Sequence, residues 1–512
     1  MNKKNILVLI VVIAALFSVT GCTSNRLDLP EEEINPEVVA IEIDEEEVIE
    51  EEIIEEEIIE EEIIEEEIIE EEIIEEEIIE EEIIEEKSSY VHVNIYGLNF
   101  REGSNSDTVI IRVLEYDEKL EVIGNLSDNW IQVVDSSGVT GWVYYKYVNF
   151  EEEMIEEEIS KIKRAYHDVD YGAYEKSMDF ENNPYVNVKG VYVSGNSAAS
   201  NIDYFIELVK STEINSLIID IKDDNGVMLF QSETARNTLG DKYKFYIKDI
   251  ESFVNKLKDE DIYLIGRLVS FKSPKYASIF PERAITYKDG TLFTTNDSVS
   301  WGTPYDRELW KYLTGIAKEA AEIGFNEVQF DYVRFPTASS KNLDSILDYR
   351  NDLNETKTKA IQSFIKYAQE ALVEYELYLS ADVYGWTSTA INDVGIGQHW
   401  EGISNVIDVM SPMFYPSHYG EGNFGFEVPD AHPYEVIYRA TEDAIKRNSN
   451  IDTPAKIRPW IQSFTAGWVT GHINYTIDRV NDQIRALKEF GIDEYMLWNS
   501  GNRYNIDGIG VK

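Results

Sequence analysis

An aspartate closes one of the apolar segments of this sequence, in the stretch FNEVQFDYVRFPT at residues 325–337. Strand-forming residues precede Asp331, and an Arg-Phe-Pro sequence ends the run. A second acid, Asp382, ends the apolar segment LYLSADVYGW. Two carboxyl groups can cleave a glycosidic bond, because one protonates the leaving oxygen while the other attacks the sugar or activates water. We therefore predict catalytic roles for Asp331 and Asp382; a structural ion pair with an arginine such as Arg334 is the alternative for Asp331.

Residues that could hold a sugar occur near the ends of the same kind of segment. Aromatic faces can stack against sugar rings, and polar side chains can form hydrogen bonds with hydroxyl groups. The predicted substrate-binding residues are Lys222, Asp223, Arg267, Arg334, Tyr384, Trp386, Tyr415, His418, Arg458, Trp460, Gln462, Trp498 and Asn499, with Trp301 and Trp400 as further candidate platforms. As alternatives, Asp223 belongs to a polar turn, His418 to an ordinary loop, and each tryptophan to the core.

Other chemistries find little support in the sequence. The six histidines are scattered without metal-binding spacing, no Gly-x-Ser-x-Gly motif is present, and the chain has one cysteine. We therefore expect no metal and no cofactor. The formal net charge of −53 argues against nucleic acid as a partner, because a nucleic-acid site needs positive charge.

Eight apolar segments alternate with amphipathic helical segments over the C-terminal 320 or so residues. The predicted strands are residues 188–194, 216–221, 263–271, 327–332, 377–384, 407–415, 457–464 and 494–499. No glycine-rich phosphate loop follows any of them, so we predict an α/β fold of the (β/α)₈ TIM-barrel type and not a doubly wound sheet. The chain ends soon after the eighth strand, so the eighth helix is either absent or supplied by residues 151–180.

The first 21 residues resemble a bacterial lipoprotein signal peptide. Two lysines precede an apolar run that is short for a membrane span, and Cys22 follows Val-Thr-Gly. The resemblance implies lipidation of Cys22, and therefore anchoring to the cell membrane with the rest of the chain on the extracytoplasmic face. A signal anchor with a chance cysteine is the alternative.

A Glu-Glu-Glu-Ile-Ile repeat dominates the next segment. Residues 31–86 hold 32 acidic residues and no Lys or Arg. A period of five winds the isoleucines around a helix and flips them between the two faces of a strand, so neither element can bury them on one side. We predict an extended or partly helical acidic low-complexity spacer; a coiled-coil stalk is the alternative.

Short alternating segments between residues 91 and 150 predict a small all-β barrel. The motif LNFREG, the middle Trp130 and the late motif GWV make this stretch similar to a bacterial SH3-like domain. The resemblance implies binding of a cell-wall peptide or glycan, whereas Trp130 and Trp142 could equally be core residues. Residues 151–180, which include EEEMIEEEISKIKRAYHDV, predict a helical linker.

The barrel resembles a bacterial family of glycoside hydrolases that is catalogued as a domain of unknown function and is related to α-amylase-like families. The motifs that carry the resemblance are VKGVYVSG (188–195), IIDIKDDNG (218–226), IGRLVSFKSP (265–274), VQFDYVRFP (328–336), LSADVYGW (379–386), VMSPMFYPSHY (409–419) and IRPWIQSF (457–464). The resemblance implies that the acid ending strand four, Asp331, is the nucleophile. Where the α-amylase pattern has Glu on strand five and Asp on strand seven, this chain has Asp382 and Gln462, so the general acid stays open.

The sequence thus divides into five segments. They are a signal peptide (1–21), the acidic spacer (22–87), the SH3-like domain (88–150), a helical linker (151–184) and the barrel (185–512). Together they predict a lipid-anchored glycoside hydrolase that acts on a cell-wall or extracellular polysaccharide. A barrel that binds glycan or wall peptide without catalysis is the alternative.

Overall fold

The computed structural model describes residues 90–95, 97–123, 129–150, 166–176, 180–337, 342–504, 506 and 508–509. Cys22, the signal peptide, the acidic spacer and residues 151–165 of the linker lie outside these ranges. Within the described ranges, no helix combines the length and the apolar character that crossing a membrane requires.

The SH3-like domain is an antiparallel sheet of seven short strands. They are β1 (Tyr90–Val93), β2 (Leu98–Arg101), β3 (Ile110–Leu114), β4 (Lys119–Val122), β5 (Trp130–Val134), β6 (Thr140–Tyr144) and β7 (Val148–Phe150), in the spatial order β3-β2-β6-β5-β4-β1-β7. Alternate side chains such as Ile131 and Val133 are buried, as the sequence pattern requires. Gly141 packs against Phe100, where a Cβ atom would lie 2.5 Å from the ring. Trp130 and Trp142 are both half-buried.

Eight parallel strand positions, here called staves, form the closed barrel; seven are single strands and one consists of two short strands. They are β8 (Lys189–Val193), β9 (Ser216–Lys222), β10 (Tyr263–Val269), β12 (Glu327–Asp331), β14 (Tyr378–Tyr384), β15 (Val409–Phe414), the interrupted stave of β16 (Lys456–Ile457) and β17 (Trp460–Gln462), and β18 (Tyr495–Trp498). β14 pairs with both β12 and β15, and β18 pairs with β8, which closes the ring. A two-stranded ribbon of β11 (Thr286–Tyr287) and β13 (Leu347–Asp348) lies in the loops after β10 and β12. The predicted (β/α)₈ barrel is confirmed.

The staves are buried on both faces, which is why they appear in the sequence as nearly continuous apolar runs. Every residue of β9 and β10 is buried. Alternate residues such as Ile218 and Ile265 point into the barrel, while their neighbours pack beneath the helices. Polar residues at interior positions therefore stand out, and most of them lie near the two ends of the barrel.

Ten helices surround the staves in the described part of the chain. They are α1 (Gly195–Ser211), α2 (Glu233–Leu239), α3 (Ile250–Lys258), α4 (Pro274–Ile279), α5 (Arg307–Ile323), α6 (Leu343–Ile346), α7 (Lys357–Leu372), α8 (Trp400–Ser404), α9 (Pro433–Asn448) and α10 (Ile477–Lys488). Side-chain caps fix their starts; the Asp306 side chain, for example, accepts a hydrogen bond from Glu308 N at the start of α5. The described residues after β18 contain no helix.

The amino end of the barrel is closed by buried charges. Arg458, between β16 and β17, donates to both Glu327 oxygens at 2.8 and 2.9 Å and to Glu494 Oε2 at 2.8 Å. The Tyr185 hydroxyl joins this base cluster by donating to Glu494 at 2.8 Å. Glu327 is the first residue of β12, so Arg458 lies at the end of the barrel opposite Asp331. This corrects the prediction that Arg458 binds substrate.

The linker is not helical where it is described. Residues 166–176 and 180–184, here called the strap, consist of turns and extended chain. The strap runs down the outer wall. In the loop after β14, Asp393 N donates to the Tyr166 hydroxyl at 3.0 Å, and further along Lys176 Nζ donates to Ser404 O at 2.6 Å. Near the base, Asn183 Nδ2 donates to Asn326 O at 2.7 Å. The strap therefore supplies no eighth helix, and it leads the chain from the level of the mouth to the base.

Candidate active site

Three interior aspartates lie near the carboxyl ends of neighbouring staves. Asp220 comes from β9, Asp331 ends β12 and Asp382 comes from β14. Phe330 pairs in register with Ala381, so Asp331 and Asp382 are the next residues of two neighbouring parallel strands and face the same interior. These buried acids need cations or hydrogen-bond donors as partners, because an isolated buried carboxylate strongly destabilises the fold.

Arg267 on β10 is the partner that two of them share. Its Nη1 donates to Asp220 Oδ1 at 2.7 Å, and its Nε donates to Asp331 Oδ2 at 2.8 Å. Its Nη2 donates to the same Asp331 oxygen. Arg267 is therefore brought into the site, as predicted, but it is occupied by aspartates. Asp331 thus forms an ion pair with an arginine, as the alternative interpretation had it; the arginine is Arg267, where Arg334 had been given as the example.

Asp331 is the most exposed of the three aspartates: 7% of its surface is accessible to solvent, compared with 3% for Asp220 and 2% for Asp382. Its second oxygen, Oδ1, accepts the backbone N–H of Tyr332 at 2.6 Å. Tyr332 has a φ of +48°, a left-handed conformation that is rare for an aromatic residue and that turns the chain directly after the strand. The turn fixes the orientation of the carboxylate at the mouth.

Asp382 lies in a drier environment. Burial, followed by the negative charge of Asp331, raises the pKa of Asp382 well above its usual range, while Arg267 and a hydrogen bond from Trp460 act in the opposite direction. Trp460 Nε1 donates that bond to Oδ1 at 2.8 Å. A carboxyl group with a raised pKa keeps its proton to a higher pH than an ordinary aspartate does and can donate it, which is the property that a general acid needs.

Aromatic side chains line the mouth on the side of β8, β17 and β18. Tyr192 stacks on Trp498 with ring centroids 4.3 Å apart, and Trp498 meets Trp460 edge to face at 5.5 Å. Tyr415 lies 6.5 Å from Trp498 and 5.1 Å from the ring of His418. The structure thus brings five predicted aromatic and arginine side chains, Arg267, Tyr415, His418, Trp460 and Trp498, to one side of the mouth.

A second group of predicted residues gathers on the side of β12 and β14. The Arg334 guanidinium lies over three rings, at 4.6 Å from Tyr384, 5.1 Å from Tyr332 and 5.1 Å from Trp301. Trp301 is 1% exposed, so it supports Arg334 and offers no sugar platform. Trp386 is half-buried, and its indole N–H meets no acceptor among the described residues. That nitrogen is itself buried, so only the exposed part of the ring can meet a ligand.

Several predicted residues instead hold loops. Lys222 is buried and donates to Val269 O at 2.6 Å. Gln462, fully buried, accepts from Ser417 N and donates to Asp430, each at 3.0 Å.

Two further predicted residues also bond to backbone. Asp223 accepts from Val227 N at 2.7 Å, so the polar-turn alternative holds. Asn499 donates to Ser463 O at 2.7 Å. Trp400 is fully buried and bonds to Asn448 at 2.9 Å, far from the mouth.

Sequence reasoning missed two members of the site. Asp220 is hidden in the apolar run SLIIDIK, and a single acid at an interior position of that run was the available signal. Lys272 is 3% exposed, pairs with Asp297 at 2.8 Å and lies 4.6 Å from the Tyr332 ring. It belongs to the long β10–α5 loop, which forms part of the wall beside Tyr332. Among the described residues, no three acidic, His or Cys side chains gather as a metal site would require.

Two family models match the chain. The model described as "Putative glycosyl hydrolase domain" matches residues 190–504, which is more than half of the sequence, and a bacterial SH3 domain model matches residues 97–149. None of the curated proteins matches the sequence.

The chain also matches several solved structures. A hypothetical protein from Ruminiclostridium thermocellum is 35% identical, over 38% of this chain and 97% of its own, with a TM-score of 0.34. The glycoside hydrolase domain of PgaB (BpsB) from Bordetella bronchiseptica is 11% identical, over 61% of this chain and 94% of its own, with a TM-score of 0.44. An alpha-galactosidase from Thermus thermophilus is 10% identical, over 75% of this chain and 70% of its own, with a TM-score of 0.40.

Proposed function

This chain belongs to the family of glycosyl hydrolase-like domains, and from that premise we propose that it hydrolyses glycosidic bonds of a cell-wall or extracellular polysaccharide. One observation carries the proposal. Asp331 and Asp382 lie side by side at the mouth of the barrel, one paired with Arg267 and one with a pKa raised by burial. Two neighbouring carboxyl groups in different environments can act as nucleophile and general acid.

In the proposed first step, Asp331 attacks the anomeric carbon while Asp382 donates its proton to the leaving oxygen. In the second step, Asp382 takes a proton from water, which attacks the anomeric carbon and releases Asp331. Neighbouring strands lie about 4.8 Å apart, and retaining glycosidases hold their carboxyl groups about 5 Å apart. We therefore assign retention of the anomeric configuration.

The test uses the full chain and a panel of 2,4-dinitrophenyl glycosides alongside purified wall and capsule polysaccharides. The wild type should release sugar with retained configuration, as followed by proton NMR. Asp331→Ala should be inactive in buffer, and azide should restore cleavage of the activated glycoside with formation of a glycosyl azide of inverted configuration. Asp203→Asn, on the exposed face of α1, is the matched control and should behave as the wild type.

Two outcomes would reject the proposal. A folded Asp331→Asn variant with wild-type activity would remove Asp331 from the mechanism. A wild-type chain that binds polysaccharide without cleaving any member of the panel, with equal affinity in Asp331→Asn, would identify the barrel as a glycan-binding protein.

We also propose the location of the activity. Cys22, lipidated at the start of the mature chain, would anchor the protein to the membrane, and the SH3-like domain would bind the cell wall. The expected result is membrane-associated wild-type protein and soluble Cys22→Ala protein after fractionation of expressing bacteria. Mass spectrometry of the N-terminal peptide should find a diacylglyceryl group on Cys22; an unmodified thiol in the mature protein would contradict the anchor.

A further inference from the structure

A series of buried hydrogen bonds leads from β8 to the carboxylate of Asp331. The Tyr192 hydroxyl donates to Asp220 Oδ2 at 2.6 Å, and Arg267 Nη1 donates to Asp220 Oδ1 at 2.7 Å. Arg267 Nε then donates to Asp331 Oδ2 at 2.8 Å. The guanidinium is thus held between two aspartates that come from the strands on either side of it.

Asp220 has no direct part in the proposed reaction. Each of its oxygens already accepts a hydrogen bond from the protein, and the side chain is 4% exposed. Its position is nevertheless unusual, because a buried carboxylate destabilises the fold unless it is paired with a cation or a hydrogen-bond donor. The partner is Arg267, which without Asp220 would be fixed by hydrogen bonds on one edge only.

Ring contacts complete the support of the guanidinium. Arg267 lies 5.5 Å from the ring centroid of Tyr192 and 5.5 Å from that of Trp498. These contacts restrict movement out of the plane, whereas Asp220 restricts rotation within it. A reacting carboxylate must be held within a fraction of an ångström of its productive position, so support at this distance bears on the rate.

We propose that Asp220 is a positioning residue for Asp331, acting through Arg267. Asp220 fixes the guanidinium and shares its positive charge, which leaves Asp331 a stronger nucleophile than a carboxylate that faced the whole charge alone. The inference rests on the proposed function in one respect, the role of Asp331 as nucleophile. Burial raises the pKa of Asp220 to about 6, against the opposing charge of Arg267. The negative charge of Asp220 is therefore lost at a higher pH than that of an ordinary aspartate.

The charged and titratable groups around Asp331 come from several elements. They are Tyr192 on β8, Asp220 on β9, Asp224 in the loop after β9, Arg267 on β10 and Asp382 on β14. Removing the negative charge of Asp220 removes a repulsion from Asp331. Asp331 would then face more of the positive charge of Arg267, which should make it a weaker nucleophile in Asp220→Asn than in the wild type.

The experiment measures turnover of the full chain with the 2,4-dinitrophenyl glycoside that the wild type cleaves fastest. In Asp220→Asn, kcat should fall about 10- to 100-fold while KM changes less than threefold, because Asp331 is still present but is held less precisely. Asp220→Glu should restore part of kcat.

The result that overturns the inference is a folded Asp220→Asn protein with the wild-type kcat. If Asp220→Asn does not fold, Tyr192→Phe tests the inference instead. It removes the hydrogen bond to Asp220 and keeps the ring and every formal charge. It should lower kcat several-fold at unchanged KM, and a wild-type kcat would reject the inference. Activity in Asp331→Asn would instead reject the proposed function, whereas an inactive Asp331→Asn with normal Asp220→Asn would reject only the role of Asp220.

Discussion

Trp460 on β17 and Asp382 on β14 are joined across the barrel mouth, with the indole Nε1 donating to Asp382 Oδ1 at 2.8 Å. The stave of β15 lies between these two strands, so the bond spans an intervening strand of the wall. A hydrogen bond donated to a carboxyl group favours its charged form, which opposes the effect of burial on Asp382.

Replacement of Trp460 by Phe should therefore raise the pKa of Asp382 further. The proposed general acid is active while protonated, so the alkaline limb of kcat/KM should move to higher pH by about one unit, the worth of one hydrogen bond. The measurement is a pH profile on an aryl glycoside. Trp400→Phe is the matched control, since it also removes a buried indole donor but lies far from the mouth. A shift in the control equal to that in Trp460→Phe would contradict the assignment.

Replacement of Trp386 by Ala should weaken substrate binding. The ring is half-buried, so part of its surface is open to a sugar, whereas its indole nitrogen is buried. Loss of one stacking contact of about 1–1.5 kcal/mol predicts a roughly tenfold rise in KM with little change in kcat. Steady-state kinetics on the polysaccharide would show it; a loss confined to kcat would place Trp386 at the reacting bond.

Replacement of Arg458 by Met should destabilise the fold by about 3–5 kcal/mol, because it leaves Glu327 and Glu494 buried without their cation. Chemical denaturation of the full chain measures this change. The double variant with Glu327→Gln should recover part of the loss, since the two residues interact directly. Activity per folded molecule should remain that of the wild type, given the distance of the base cluster from the mouth. A loss of kcat in Arg458→Met without a loss of stability would contradict this assignment and indicate that Arg458 acts in the candidate site.

His399 should make the fold sensitive to acid. Burial lowers its pKa from 6.5 to about 4, so between these values the unfolded chain binds a proton that the folded chain does not. Stability should therefore fall as the pH decreases from 6.5 to 4, by up to about 3 kcal/mol from this residue. His399→Asn keeps a side-chain acceptor for Gly402 N at the start of α8 and should show a shallower decline. Equal slopes in urea denaturation at several pH values would contradict the prediction.

The staves of the barrel were predictable to within a few residues because strands buried on both faces require continuous apolar runs. Residues 216–221 were predicted, and β9 spans Ser216–Lys222. The described part of the linker, residues 166–176, is not helical as predicted, because local helix propensity does not include the contacts that hold the strap on the barrel wall.

The candidate site was partly predictable for a related reason. Asp331 and Asp382 lie at the ends of predicted neighbouring strands, which placed them together at the mouth. The period of two along a strand indicates which residues share a face, but it does not indicate their height along the barrel. Arg458 and Trp460 share one face, yet one joins the base cluster and the other bonds to Asp382. Pairings such as Asp220 with Arg267 depend on side-chain reach across the barrel, which no local pattern contains.

The strap also determines how the barrel responds to mechanical force. Its hydrogen bonds attach it first at Asp393, then at Ser404 and finally at Asn326 near the base. A tensile load applied at Tyr166 meets these attachments in series, starting from the one nearest the mouth. The load must peel the strap from the wall, contact by contact, before it reaches β8 and the residues inside the barrel.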